Sequence, residues 1–137
     1  RTDAIAGGIE IVLSEAAEFP DTNGDRIQLQ QVLLNLVRNA AEAIASASQS
    51  GGRVVIGAVR LPASIEFSVR DNGPGIAPEI ADKLFEPLTT SRQQGLGLGL
   101  SISQGIVESH GGRIWLHSRE EGATEFRFSL PLETASR

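Results

Sequence analysis

Cysteine is absent from the 137-residue chain, which excludes a disulfide framework and any thiolate metal site. Lysine is nearly absent, Lys83 being the only one among 12 cationic residues. Its neighbours Asp82 and Leu84 place it in no glycine-rich loop, so a Walker A loop ending in Gly-Lys-Ser/Thr is missing. The lysine and His-Arg-Asp set of Ser/Thr/Tyr protein kinases is missing as well, so any nucleotide chemistry needs another scaffold. No apolar run approaches the ~18 residues of a membrane-spanning helix, and the opening residues lack the basic-then-apolar pattern of a signal peptide. The expectation is a soluble, cytoplasmic domain without direct membrane contact, whether or not a parent protein is membrane-anchored. Positive charge is also in deficit: 12 Lys+Arg face 17 Asp+Glu, for a net charge of -5. A surface of that sign exerts no overall attraction on nucleic acid or an anionic membrane. A polyanionic ligand must therefore be held locally.

What is present is a change of period along the chain, at a length that suits one domain with one core. Residues 1–8 carry little pattern and are expected to be the remnant of an upstream linker, with 9–137 forming the domain. Ile9, Ile11 and Leu13 alternate with other residues, as in a short strand, and Asp21 to Gly24 is turn-like. From Arg26 to about Ser46 an apolar stripe of Leu29, Val32, Leu33, Leu36, Val37, Ala40, Ala43 and Ile44 predicts an amphipathic helix. Asp25 is its candidate N-cap, with Gln28 as reciprocal partner. Two strands follow at Arg53–Arg60 and Ile65–Asp71, then a loop containing Asn72-Gly73-Pro74-Gly75. A short helix opens at Pro78 and runs through Phe85, and Glu86 to Gly99 reads as a long loop. A second amphipathic helix places Leu100, Ile102, Ile106 and Val107 inward and stops at Gly111-Gly112. A hairpin closes the chain, Arg113–Ser118 with Ala123–Leu130, in which Thr124, Phe126, Phe128 and Leu130 share one face. Helices that punctuate hairpin-linked strands predict an α+β two-layer sandwich, with a mixed, mostly antiparallel sheet covered on one face.

Three groups of residues can carry chemistry. Gln31, Asn35 and Asn39 recur every four residues on the first helix, with Glu42 three further on, and line one polar stripe. Carboxamide oxygens are neutral, hard acceptors suited to Mg²⁺, which keeps several waters and takes other ligands from phosphates; a solvated helix face would also explain the stripe, but Asn is a poor residue for a helix interior. Asp71 shares strand parity with Ile65, Phe67 and Val69, so its carboxylate lies on the apolar side. A charge there is costly without hydrogen bonds. An exocyclic amine such as adenine's would satisfy it and would discriminate against guanine, whereas a structural Asp would merely open the Asp-Asn-Gly-Pro turn. Finally, Gly95-Leu96-Gly97-Leu98-Gly99-Leu100 leads into a helix, offering unobstructed backbone N–H groups to a phosphate, with Arg92 nearby as a local positive charge. A hinge is the alternative reading of the glycines alone. His110, at a helix end, and His117, on a strand, are the only imidazoles, and neither is assigned a catalytic role.

The order of these motifs is more specific than any one of them. Leu33-Leu34-Asn35-Leu36-Val37-Arg38-Asn39-Ala40, Asp71-Asn72-Gly73-Pro74-Gly75-Ile76, Leu84-Phe85-Glu86-Pro87 and Gly95 to Leu100 resemble, in sequence order, the N, G1, F and G2 boxes of sensor histidine kinases. The resemblance spans roughly Asp25 to Pro131. It implies the catalytic and ATP-binding domain of a two-component system, in the superfamily that includes gyrase, Hsp90 and MutL, with about five strands packed on three helices. It further implies Asn39 as the main Mg²⁺ ligand and Asn35 as an aid in positioning phosphates and metal. Asp71 would bind the adenine amine, with Gly73, Gly75 and Ile76 shaping the base pocket. Phe85 and the loop to Gly95 would form a mobile lid, and Gly95, Leu96, Gly97, Leu98, Gly99 and Leu100 the phosphate loop.

The chain departs from the resemblance after the F box. Pro87-Leu88-Thr89-Thr90-Ser91-Arg92 stands where many members read Pro-Phe-Phe-Thr-Thr-Lys, so both aromatics are replaced and Arg92 keeps the charge. At position 35 hydrolysing members place a Glu, and the amide found here cannot act as a general base. Phosphotransfer is therefore expected rather than ATP hydrolysis. No H box is recognisable around His110 or His117, so the phosphoacceptor histidine is expected on a separate dimerisation domain upstream, with a response regulator receiver domain as the next partner and no nucleic acid involved. The alternatives on the same scaffold are an ATP-binding regulator of anti-sigma, serine-kinase type and a degenerate domain kept for protein contacts. Intact Asn39, Asp71 and glycines weigh against the last.

Overall fold

The computed structural model describes residues 4–6, 8–13, 26–47, 51–86 and 100–131. Alternation of β-branched and aromatic residues builds its sheet. The strands are β1 (Ala4–Ala6), β2 (Ile9–Leu13), β3 (Arg53–Arg60), β4 (Ser64–Asp71), β5 (Arg113–Glu120) and β6 (Ala123–Pro131); the helices are α1 (Arg26–Ser46), α2 (Pro78–Ala81) and α3 (Leu100–Ser109). The sheet order is β1-β2-β3-β4-β6-β5. Among the described residues only β2 and β3 pair in parallel, and α1 lies between them in sequence, as a parallel crossover requires. The α+β class, the mixed sheet and the three helices agree with expectation. The sheet has six strands rather than about five, because Ala4–Ala6, which shows no alternation, pairs antiparallel with β2 at the edge.

Register assembles the inner face row by row. Ala58, Phe67, Phe128 and Ile114 align across β3, β4, β6 and β5, and Ile56, Val69, Phe126 and Leu116 form the adjacent row. Phe67 and Phe128 stack with centroids 4.8 Å apart. Onto this face α1 lays Val32, Leu36, Ala40 and Ile44, all buried, which is the stripe read from the sequence. The next row continues into polar residues: Val54, Asp71 and Thr124 align at the end of the sheet.

Two helix details differ from expectation. On α3 the inward stripe is Leu100, Ser103 and Val107, each without exposed surface, while Ile102 is 66% exposed. Once Leu100 is buried at the helix start, the helical period puts positions 103 and 107 on its side and position 102 nearly opposite. The expected helix through Phe85 is regular only to Ala81; the chain then tightens into three-residue turns, Lys83 N–H to Ile80 O and Glu86 N–H to Lys83 O. The stop of α3 is as read. Gly111 adopts φ +84°, and the bonds Gly112 N–H to Val107 O and Gly111 N–H to Glu108 O close a Schellman motif. The Asp25 cap and the Asp21–Gly24 turn lie outside the described residues.

Candidate functional site

Asp71 and Asn39 reach one cleft from the two layers. Asp71 is the last residue of β4, 5% exposed, on the helix-covered face that its strand parity assigns. Its Oδ1 accepts the Gly73 N–H at 2.8 Å. Burial pushes the carboxyl pKa above its ordinary value, and the Gly73 bond opposes that rise only in part. Asn39 points from α1 toward the same end of the sheet, 4% exposed. Its Nδ2 has no hydrogen-bond partner. A buried donor left unpaired costs roughly 1–3 kcal/mol, a cost that a bound ligand can remove.

The cleft opens to solvent between the helix layer and the end of the sheet. Leu36, Asn39, Ala40 and Ala43 form its helix wall, Val69, Asp71, Thr124 and Phe126 its sheet floor, and Gly75 with Ile76 its rim. It is thus apolar with a few convergent polar groups, the usual make-up of a small-molecule site. The rim is anchored by the β5–β6 turn: Gly122 N–H bonds Gly73 O at 2.8 Å and Ile76 N–H bonds Arg119 O at 3.1 Å. This close approach explains Gly75, and the neighbouring Asp71 carboxylate explains Gly73. Gly75 sits at φ +85°, where a Cβ would stand 2.9 Å from Arg119 O and Glu121 N, and a Cβ on Gly73 would stand 2.8 Å from Asp71 Oδ1.

The structure thus brings together Asn39, Asp71, Gly75 and Ile76, with Gly73 behind the carboxylate. It does not place Asn35 on the cleft; that side chain turns to α3 and donates to Ser103 Oγ at 3.1 Å. Phe85 packs edge-on against Phe126 of the floor, centroids 6.4 Å apart, and does not line the cleft. Leu100 is fully buried at the start of α3. Arg92, Gly95, Leu96, Gly97, Leu98 and Gly99, with the Leu88 and Thr89 departures, lie outside the described residues. His110 is held at the end of α3 by a contact of Nδ1 with Ile106 O at 2.8 Å.

Sequence reasoning put Thr124 on the buried face and assigned it nothing further. It stands directly opposite Asp71, 4% exposed, with its hydroxyl donating to Glu120 O at 3.3 Å. A hydroxyl in phase with Phe126 and Phe128 was the available signal.

The family described as histidine kinase-, DNA gyrase B-, and HSP90-like ATPase matches residues 24–134. The chain belongs to this family. Among relatives of this ATPase domain, the sensor protein FixL of Bradyrhizobium diazoefficiens is 46% identical over 107 residues, covering 78% of this chain and 21% of FixL. The chain thus spans about a fifth of that relative's length. The nucleotide-free catalytic domain of histidine kinase ThkA superposes with a TM-score of 0.74 at 36% identity, covering 91% of this chain and 80% of that domain. ThkA in complex with the response regulator protein TrrA gives 0.72 at 34% identity, over 94% of this chain and 36% of that one. Full-length ShkA in complex with AMPPNP gives 0.76 at 31% identity, over 95% and 27%. The ATPase domain is therefore of the sensor histidine kinase type. Among its described residues no cluster of three or more His, Cys, Asp or Glu side chains can hold a metal, and no helix is long and apolar enough to cross a membrane.

Proposed function

We propose that this domain binds Mg-ATP in the cleft between α1 and the sheet and transfers the γ-phosphoryl group to a histidine on a separate dimerisation domain, from which it passes to an aspartate of a response regulator. The convergence of buried Asp71 and of Asn39, whose Nδ2 has no partner, on one apolar cleft carries this reading. The AMPPNP complex of ShkA and the regulator complex of ThkA support its two halves.

In this reading the Asp71 carboxylate accepts a hydrogen bond from the adenine amine and leaves a guanine carbonyl unpaired. Gly73, Gly75 and Ile76 shape the rim around the base. Gly95, Gly97 and Gly99 offer backbone N–H groups to the phosphates, and Arg92 adds positive charge. Asn39 fits a Mg²⁺ ion: turning its carboxamide over presents a neutral, hard oxygen where an unpaired nitrogen now stands, and waters with phosphate oxygens complete such a shell. When bound, Mg²⁺ neutralises charge on the phosphates during transfer. Asn35 helps position that end of the nucleotide, and its amide supplies no base for activating water. Chemistry is then in-line displacement: a neutral imidazole nitrogen of the partner forms the new bond to phosphorus, the bond to the β-phosphate oxygen breaks, and ADP leaves. Phe85, seated against Phe126, anchors the start of the loop to Gly95 that serves as the lid in this reading.

Calorimetry tests the pocket. ATP affinity should fall by about 1–3 kcal/mol in Asp71→Asn, the cost of misaligning one buried hydrogen bond. Unchanged affinity would remove the assignment.

A further inference from the structure

Away from the cleft, one partly buried hydrogen bond ties the two long helices together. Asn35 on α1 donates from Nδ2 to Ser103 Oγ on α3 at 3.1 Å. Ser103 has no exposed surface and occupies the inward position between Leu100 and Val107, where an aliphatic side chain would bury more apolar area. A hydroxyl at such a place is tolerated because it has a partner.

The bond has two mechanical consequences. A carboxamide carries two N–H donors and one oxygen acceptor. Ser103 engages one donor, so the Asn35 side chain is tethered to α3 through Nδ2, with its oxygen and second N–H left for other partners. In addition, α3 begins at Leu100, immediately after the Gly95–Gly99 run, so a tie three residues into the helix sets where its first turn stands relative to α1. The same α1 carries Asn39 one turn beyond Asn35.

We propose that Ser103 is a positioning residue for the triphosphate end of the nucleotide, acting through Asn35. This rests on the ATP reading above. With Ser103 present, the Asn35 side chain is tethered in place before ligand arrives, and the ordering cost of binding is lower. Without it, the Asn35 side chain is released to other rotamers and α3 loses its hydrogen-bonded tie to α1. Adenine recognition at Asp71, on the sheet, is independent of this bond.

The test is a double-mutant cycle on the full chain, read as the affinity for AMPPNP with Mg²⁺ by calorimetry. Ser103→Ala should weaken binding about three- to tenfold, the scale of one hydrogen bond, and should leave the weak binding of adenosine, followed by ligand-observed NMR, unchanged. Adding Ser103→Ala to Asn35→Ala should produce no further loss, because Ser103 acts only through that amide; a purely structural role would give additive losses and would weaken adenosine equally. Should Ser103→Ala fail to fold, Ser103→Cys, of similar size but a weak acceptor, is taken through the same cycle. AMPPNP affinity unweakened by the substitution, or additive losses, would overturn the inference alone. Failure of the unaltered chain to bind AMPPNP would overturn the ATP reading and the inference with it.

Discussion

Asp71 shows how the fold tolerates a charge that its burial disfavours. Its carboxyl titrates above the ordinary 3.8 because burial disfavours the charge, with the Gly73 N–H as partial compensation. In the unfolded chain the proton is lost near the ordinary value. Between there and the raised folded value, the native state keeps a proton that the unfolded state has released, so stability falls as pH rises through that window and stays lower above it. Below the window both states are protonated and the penalty is gone. Asp71→Asn keeps an oxygen for the Gly73 N–H and has no charge to desolvate. The variant should therefore melt above the unaltered chain near neutral pH, with the gap closing in acid, while binding ATP more weakly. Melting temperatures of both proteins across pH check this, and a gap that does not change with pH would contradict the desolvation account. Strand parity made the burial of Asp71 legible in the sequence. The unpaired state of the Asn39 amide was not legible, since it depends on what the sheet fails to offer α1.

Among the elements, the rim loop after β4 and the β5–β6 turn hold each other in place. Their bonds from Gly122 to Gly73 and from Ile76 to Arg119 require backbone-to-backbone approach at Gly75, whose φ of +85° also suits glycine. Gly75→Ala should destabilise the fold by about 2–4 kcal/mol, combining left-handed strain with a clash against Arg119 O and Glu121 N that cannot relax by rotating a side chain. Chemical denaturation measures it, and a loss under ~0.5 kcal/mol would mean that the loop yields freely. Asp-Asn-Gly-Pro-Gly identified a loop but not the turn that it docks on, because the partner lies more than forty residues away. The α3 stripe was misphased for a related reason. Ile102 is apolar and Ser103 polar, so composition alone favours burying Ile102, and only the Asn35 bond makes Ser103 an acceptable inward residue.

For the whole molecule, helix layer and sheet share one core, and the cleft is that core's open end. Phe128, 1% exposed and stacked on Phe67, lies in the row next to the cleft floor. Phe128→Ala should cost about 3–5 kcal/mol, seen as a lower denaturation midpoint with unchanged slope. An unchanged midpoint would show that the layers are held elsewhere. Neither imidazole lines the cleft: His110 is held by the backbone at the end of α3, and His117 projects from β5, exposed. Incubated with labelled ATP and Mg²⁺, the chain should retain no phosphohistidine, and label on either imidazole would contradict transfer to a separate domain.

Local order in the sequence was enough to determine the class of fold, the long helix and its buried stripe, the hairpins, and the set of motifs that resembles sensor histidine kinases, because each depends on periodicity or on neighbours a few residues apart. Tertiary structure alone decided that Asn39 and Asp71 meet across one cleft, that Thr124 stands opposite Asp71, and that Asn35 turns to Ser103. Those outcomes depend on strand register and on how α1 and α3 pack, which are contacts between residues remote in sequence and are set only when the core closes.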